Sequence, residues 1–325
     1  MNISRCVELF PLNQIVLITD QNCQVKELKN LELYRYTESV AWHVLNKSLS
    51  HPKEFRQNFW FTSVARFLAI ESYMKENPEE LIHVESDVIL AGDFPFASFS
   101  KLKCDLAFPL VSPSQGIASV LYLNSYLAAQ KLARFSLEQV RKDSRTTDMI
   151  ILRNFCDEFP KLVRVLPIGP ITANCYRNFI EDDLLLQMSS SLEILGGIID
   201  GADLGYYIYG IDPRNSRGVK ILRKGIETNY LDVSKTDLMY SQSRNFLNVW
   251  DARTKTLIPV FSLHIHSKNS KLFHISRSLN SLESGIKDYS KSESFEFVPS
   301  IFLFALFVAL KRRLVLGYKR IEKWL

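Results

Sequence analysis

Leu81-Ile82-His83-Val84-Glu85-Ser86-Asp87-Val88-Ile89-Leu90 sets two short apolar runs on either side of an acidic triplet. The first run, Leu81–Val84, reads as a strand, and the triplet stands at its end. Two residues apart in extended backbone, Glu85 and Asp87 project to one face. Ligands of an open α/β sheet bind at the carboxyl ends of its strands. Two carboxylates placed there suit a hard divalent cation, Mg²⁺ or Mn²⁺, that also holds a diphosphate. An acid-x-acid triplet on its own is equally an ordinary solvated turn, so the flanking segments decide its meaning.

Upstream, Phe59–Glu76 spaces Trp60, Val64, Phe67, Leu68 and Met74 near a helical period. Asn77-Pro78 ends that helix, because proline disfavours helical geometry in the residue before it. Gln14–Asp20 carries five consecutive apolar or β-branched residues and reads as a buried strand, with a second strand at Leu31–Tyr36. Downstream, Asp105–Pro109 and Ser119–Leu123 read as strands. Ser125–Gln139 and Thr147–Phe159 read as helices, the latter closed by Pro160. This alternation predicts one α/β domain over residues 1–275, with a mainly parallel sheet covered on both faces. From Gly196 onward Gly197, Gly201, Gly205, Gly210 and Gly218 crowd together, six of the chain's 12 glycines counting Gly196. That density predicts a loop, the kind of segment in which functional residues collect.

Hydrophobic residues make up 46% of the 325-residue chain and charged residues 23%, which supports a folded core and excludes wholesale disorder. The net charge of +5 is local. Of 40 basic and 35 acidic residues, six and one fall in residues 311–325, so the first 310 are balanced. A neutral body argues against a nucleic-acid groove. The five cysteines are scattered without a Cys-x-x-Cys pair, which argues against a zinc site or a disulfide framework. With no secretory signal read at the N-terminus, the expected compartment is the reducing cytoplasm.

Ala65-Arg66-Phe67-Leu68-Ala69-Ile70 on a helix, followed by the strand that ends in Glu85-Ser86-Asp87, resembles the core signature of GT-A type nucleotide-sugar glycosyltransferases. The resemblance runs in order over about residues 10–275. It implies a Rossmann-like domain with a DxD-type motif whose first acid is glutamate here. It further implies a Mn²⁺ or Mg²⁺ cofactor, a nucleotide-sugar donor (a UDP-sugar foremost) and a hydroxyl acceptor. By the same resemblance Glu85, Ser86 and Asp87 hold the donor and Arg66 approaches its diphosphate. Ser119–Asn124 matches a following strand that carries sugar contacts, or is plain core. Thr147 and Asp148 cap a helix, and Asp148 then stands near the donor sugar as a candidate catalytic group. Asp200-Gly201-Ala202-Asp203-Leu204-Gly205-Tyr206 and Gly210-Ile211-Asp212-Pro213-Arg214-Asn215 resemble a pocket loop, with Asp203 the second catalytic candidate; ordinary turn chemistry explains the same residues.

Ser262-Leu263-His264-Ile265-His266-Ser267-Lys268 adds imidazoles that share a face on a strand, and neutral imidazole is a good Mn²⁺ ligand. In the family 8 branch a late histidine completes the metal site and a following lysine contacts the diphosphate. The expected metal set is therefore Asp87, Glu85 and His266, or His264 in its place, with Lys268 on phosphate. His83 reads as a packed or supporting residue.

Residues 276–297 read as a serine-rich connector and 298–325 as an apolar and basic helical tail. The apolar run Ile301–Leu310 is well short of the roughly 20 residues a spanning helix needs. Leu314, Tyr318, Ile321 and Leu325 make one apolar stripe on a basic helix, the composition of a helix lying on anionic lipid. The expected setting is thus the inner face of the membrane, with a glycan or glycolipid acceptor. Two rivals stand beside this reading. One is a catalytically silent protein of the same fold that binds membranes. The other is a nucleotidyltransferase, which would need a basic glycine-rich loop after the first strand where Asp20-Gln21-Asn22-Cys23 stands.

Overall fold

The computed structural model describes residues 2–19, 28–51, 58–171, 173–177, 179–209, 228–241, 243–251 and 253–265. His266, Lys268, residues 210–215, the connector 276–297 and the tail 298–325 lie outside the described residues.

Helix α1 (Asn2–Leu9) leads into strand β1 (Ile15–Thr19), followed by β2 (Leu31–Arg35), α2 (Val40–Ser48) and α3 (Phe59–Glu76). Next come β3 (Leu81–Val84), β4 (Val88–Leu90), β5 (Leu106–Phe108), β6 (Leu110–Ser112), β7 (Gln115–Gly116) and β8 (Val120–Leu123). Helices α4 (Tyr126–Lys142) and α5 (Asp148–Glu158), strand β9 (Val163–Val165), helix α6 (Asp182–Leu195), strand β10 (Ile198–Ile199) and helix α7 (Asp203–Tyr209) follow. Strands β11 (Asp237–Ser241), β12 (Phe246–Asp251) and β13 (Thr256–His264) complete the described chain. The expected helices and strands of the first half all occur within a few residues of their sequence bounds. The helix starts have local causes: Ser125 Oγ accepts from Ala128 N–H ahead of α4, and Thr147 Oγ1 from Ile150 N–H ahead of α5.

The architecture is α/β, but the sheets are mixed, not mainly parallel. One sheet has the order β3-β8-β5-β9, with antiparallel β3–β8 and β5–β8 pairs and a parallel β5–β9 pair. A second has the order β10-β13-β12-β11, with β4 also on β13. There only β10–β13 is parallel. Strands β1 and β2 pair in parallel as a sheet of their own. The cause lies in the connections. A parallel neighbour needs a crossover of about a dozen residues or more, usually helical. The chain instead doubles back between β5 and β8 through the β6–β7 hairpin, and short turns join β11, β12 and β13. The parallel pair β5–β9, joined through α4 and α5, retains the expected kind of connection.

One hydrophobic core links these elements, with Phe67, Phe99, Phe108, Phe155 and Phe246 almost fully buried within it. Helix α3 is buried nearly all round, as its apolar sequence requires. This places Arg66, one of its few charged residues, inside the molecule.

Candidate metal centre

The acidic triplet lies where the chain passes from one sheet to the other. Strand β3 belongs to the four-stranded sheet and β4, four residues later, pairs with β13. Glu85 and Asp87 therefore sit in a turn, closed by a 3.0 Å hydrogen bond from Val88 N–H to the Glu85 carbonyl, and not on an extended strand end. Glu85 N–H also donates to the Ser119 carbonyl at 3.1 Å, which ties the turn to β8.

Antiparallel pairing of β4 with β13 sets His264 opposite Val88, and Ile265 N–H donates to the Asp87 carbonyl at 2.8 Å. The imidazole is thereby delivered to the two acids. His264 Nε2 lies 3.3 Å from Glu85 Oε2 and 3.4 Å from Asp87 Oδ2. One ligand atom from each of the three residues falls within 4.8 Å of the others. His264 Nδ1 lies 2.7 Å from the Gly201 carbonyl. A carbonyl only accepts, so Nδ1 carries a proton, and Nε2 faces the two carboxylates. The three side chains converge so that together they could hold a metal ion. Two carboxylates and an imidazole are a donor set that Mn²⁺ and Mg²⁺ accept.

No protein-family model, curated protein or solved structure matches this chain.

Arg66 does not present a free guanidinium to a diphosphate. It donates through Nη1 to Glu85 Oε1, through Nη2 to Asp148 Oδ2 at 2.8 Å, and through Nε to the Ser63 carbonyl at 2.7 Å. Burial opposes charge on Glu85, but Arg66 and His264 outweigh it and hold the carboxyl well below the usual range. Glu85 is thus kept ionised and oriented. Burial raises the Asp148 carboxyl, with Arg66 acting in the opposite direction. Asp148 is committed to Arg66, so it supports Glu85 through that side chain and does not reach the triad itself. His83, on the neighbouring strand, has an Nε2 with no hydrogen-bond partner among the described residues. Burial, reinforced by Arg66, pushes its pKa down to about 4, so it is a neutral, packed ring. Ser86 is exposed on the turn.

Asp200 holds the imidazole in place, a role its sequence context does not reveal. Its carboxylate accepts from Leu204 N–H at 3.1 Å, Gly205 N–H at 2.9 Å and His264 N–H at 3.0 Å. Its backbone is bracketed by two buried serines: Ser119 Oγ donates to its carbonyl and its N–H donates to Ser262 Oγ, each at 3.1 Å. The segment expected to be a glycine-rich pocket loop is, over residues 200–209, a tight turn into α7 packed on β13. Glycine is needed there for close approach. A Cβ on Gly197 would lie 2.6 Å from the Pro259 carbonyl oxygen, and one on Gly201 2.4 Å from Val111 Cγ1.

Asp203, the second catalytic candidate, is not part of the cluster. Its Oδ1 accepts from Asn229 Nδ2, and Oδ2 has no partner among the described residues. Burial pushes its pKa up to about 8. The folded state then holds a proton between the ordinary value of 3.8 and about 8 that the unfolded chain has released. Stability therefore falls as pH rises through that interval. Asp203→Asn keeps the bond to Asn229 and removes the buried charge. The variant should be the more stable protein at pH 8, with the advantage shrinking toward pH 4. Urea denaturation at both pH values measures this, and an equal effect at the two would show that Asp203 is not the titrating group.

Proposed function

We propose that the chain is a divalent-metal-dependent glycosyltransferase of the GT-A type, moving a sugar from a nucleotide diphosphate donor, UDP-sugars foremost, to a hydroxyl acceptor. The carrying observation is the convergence of Glu85, Asp87 and His264, with the histidine tautomer fixed by the Gly201 carbonyl. A late histidine meeting an acid-x-acid turn is the arrangement that the resemblance to the family 8 branch implies. Glu85, Asp87 and His264 would hold Mn²⁺ or Mg²⁺, which neutralises charge on a departing nucleoside diphosphate. The chain's own contribution is preorganisation. Arg66 fixes one Glu85 oxygen and leaves the other toward His264, and Asp200 ties the His264 backbone to α7. Asp87, in the buried half of the turn, completes the set.

Purified protein incubated with a panel of nucleotide-sugars should release nucleoside diphosphate or transfer sugar only with Mn²⁺ or Mg²⁺. His264→Ala should lower that rate by about 100-fold or more. Release that is indifferent to chelator and to the variant would rule the assignment out.

The acceptor we propose is a glycan or glycolipid at an anionic membrane surface, with residues 298–325 as the surface contact. Among the described residues no helix is long and apolar enough to cross a membrane. Co-sedimentation with anionic liposomes should be lost when residues 298–325 are removed, and unchanged binding would refute the contact.

A further inference from the structure

The sheet that carries His264 has a second surface at its far end. In the antiparallel ladder β11-β12-β13, directly paired residues share a face. One face presents Leu247, Val249, Ile258 and Val260, all buried in the core. The opposite face is expected to be polar where it meets water, and toward the β12–β13 turn it is not. Met239 and Leu257 are each 46% exposed, and the partly buried Trp250 and Pro259 stand beside them. Trp250 pairs with Leu257, and Asn248 pairs with both Met239 and Pro259, so the four apolar side chains are neighbours. Farther along this face Phe246 and Phe261 are buried, which confines the exposed patch to the turn end.

The turn adds charge to this patch. The buried Asp251 carboxylate accepts from Arg253 N–H at 3.0 Å and from Thr254 Oγ1 at 2.9 Å, which holds the turn in shape. Arg253 and Lys255 are exposed, and neither makes an ion pair among the described residues. Asp237, exposed opposite Trp250, is one acid against these two cations. Apolar side chains that include a tryptophan, edged by free cations, suit the boundary between acyl chains and anionic headgroups. A protein partner fits less well, because protein interfaces are depleted in lysine and demand close shape matching. Fluid acyl chains demand no such match, and the two cations reach headgroup phosphates.

We propose that the turn end of the β12–β13 hairpin is a membrane-contact surface. Met239, Trp250, Leu257 and Pro259 seat in the interface of an anionic bilayer, with Arg253 and Lys255 on its phosphates. Leu257 precedes His264 by seven residues on one strand, roughly 23 Å, so the bilayer leaves the metal centre clear. This contact is separate from residues 298–325 and needs neither donor nor divalent ion, so it stands or falls apart from the glycosyltransferase reading. A single weak interfacial signal binds only marginally and stable anchoring takes two; the hairpin supplies one and the proposed tail contact the other.

The test uses the full chain in EDTA, with vesicles of phosphatidylglycerol and phosphatidylcholine in equal parts and vesicles of phosphatidylcholine alone. Preferential binding to the charged vesicles is expected, with hydrogen exchange slowed at residues 250–258. Arg253→Glu/Lys255→Glu should weaken partition into charged vesicles at least about 10-fold, and Met239→Ser/Leu257→Ser as much. All four side chains are exposed, so the fold should persist, and the exchange measurement needs no variant. Parental binding by both double variants, or protection confined to other segments, would overturn the proposal and leave the tail contact standing. A wild-type dimer that Met239→Ser/Leu257→Ser dissociates, seen by sedimentation, would also overturn it and give this face to a second copy of the chain.

Discussion

Isothermal titration of the wild-type chain with Mn²⁺ should give one site, and Asp87→Ala or His264→Ala should weaken it by about 100-fold or more. Each substitution removes one of three ligand atoms, a larger loss than the roughly 10–100-fold that changes to supporting residues cause. The structure makes a graded prediction around this. Asp148→Asn leaves all three ligand atoms in place and weakens only the Arg66 grip on Glu85, so its effect should fall within that smaller range. His264→Ala is informative for a second reason. If His266 were the ligand, the variant would bind Mn²⁺ like the parent, because removing the imidazole at 264 would touch no bond to the ion. Normal affinity in both Asp87→Ala and His264→Ala would dispose of the metal centre altogether. Circular dichroism separates these outcomes from unfolding. Asp87, His264 and Asp148 stand at a turn, a strand end and a helix start, not within the aromatic core, so the fold should persist.

The second large effect is expected from Gly205→Ala, a change of one methyl group. A Cβ at this position would stand 1.9 Å from the His264 carbonyl oxygen and 2.7 Å from its carbonyl carbon. Both are backbone atoms of β13, so no side-chain rotation relieves the clash. Helix α7 must move off the strand, which breaks the 2.9 Å bond from Gly205 N–H to Asp200 and disturbs the Asp200 bond to His264 N–H. Overpacking of this kind typically costs about 1–3 kcal/mol and sometimes more. With a backbone-to-backbone clash and a hydrogen-bond network both involved, the upper end, about 3 kcal/mol, is expected. Denaturant titration gives the stability loss, and Mn²⁺ titration of the folded fraction should show weakened binding too. A Gly205→Ala protein with parental stability and affinity would mean that α7 does not pack on β13 in this way.

How far these conclusions were legible beforehand differs from residue to residue. The helix over Phe59–Glu76 and the strand over Leu81–Val84 could be read directly, because apolar period and proline position are local properties of the chain. The acidic pair could be read too, since two carboxylates beside a strand form a local pattern. The sequence offers Arg66 for a diphosphate, whereas the fold sets its guanidinium on Glu85 and Asp148, partners that were not foreseeable. Its sequence neighbours do not disclose that Glu85 and Asp148, 19 and 82 residues away, saturate it. Asp203 looked chemically promising among its glycines, yet the fold sets it against Asn229, outside the cluster.

The sequence by itself determined the ends and types of the early elements, the presence of an acidic pair just after β3 and the candidacy of two late histidines, because each depends on neighbours within a few positions. Only the tertiary structure decided that β4 pairs antiparallel with β13, opposing Val88 to His264, and that Asp200 and the Gly201 carbonyl fix the imidazole. Sheet register and strand direction arise from contacts between segments some 60 to 180 residues apart. No local preference encodes such a contact; it is set by which faces and edges find burial and hydrogen-bond partners once the whole chain has packed.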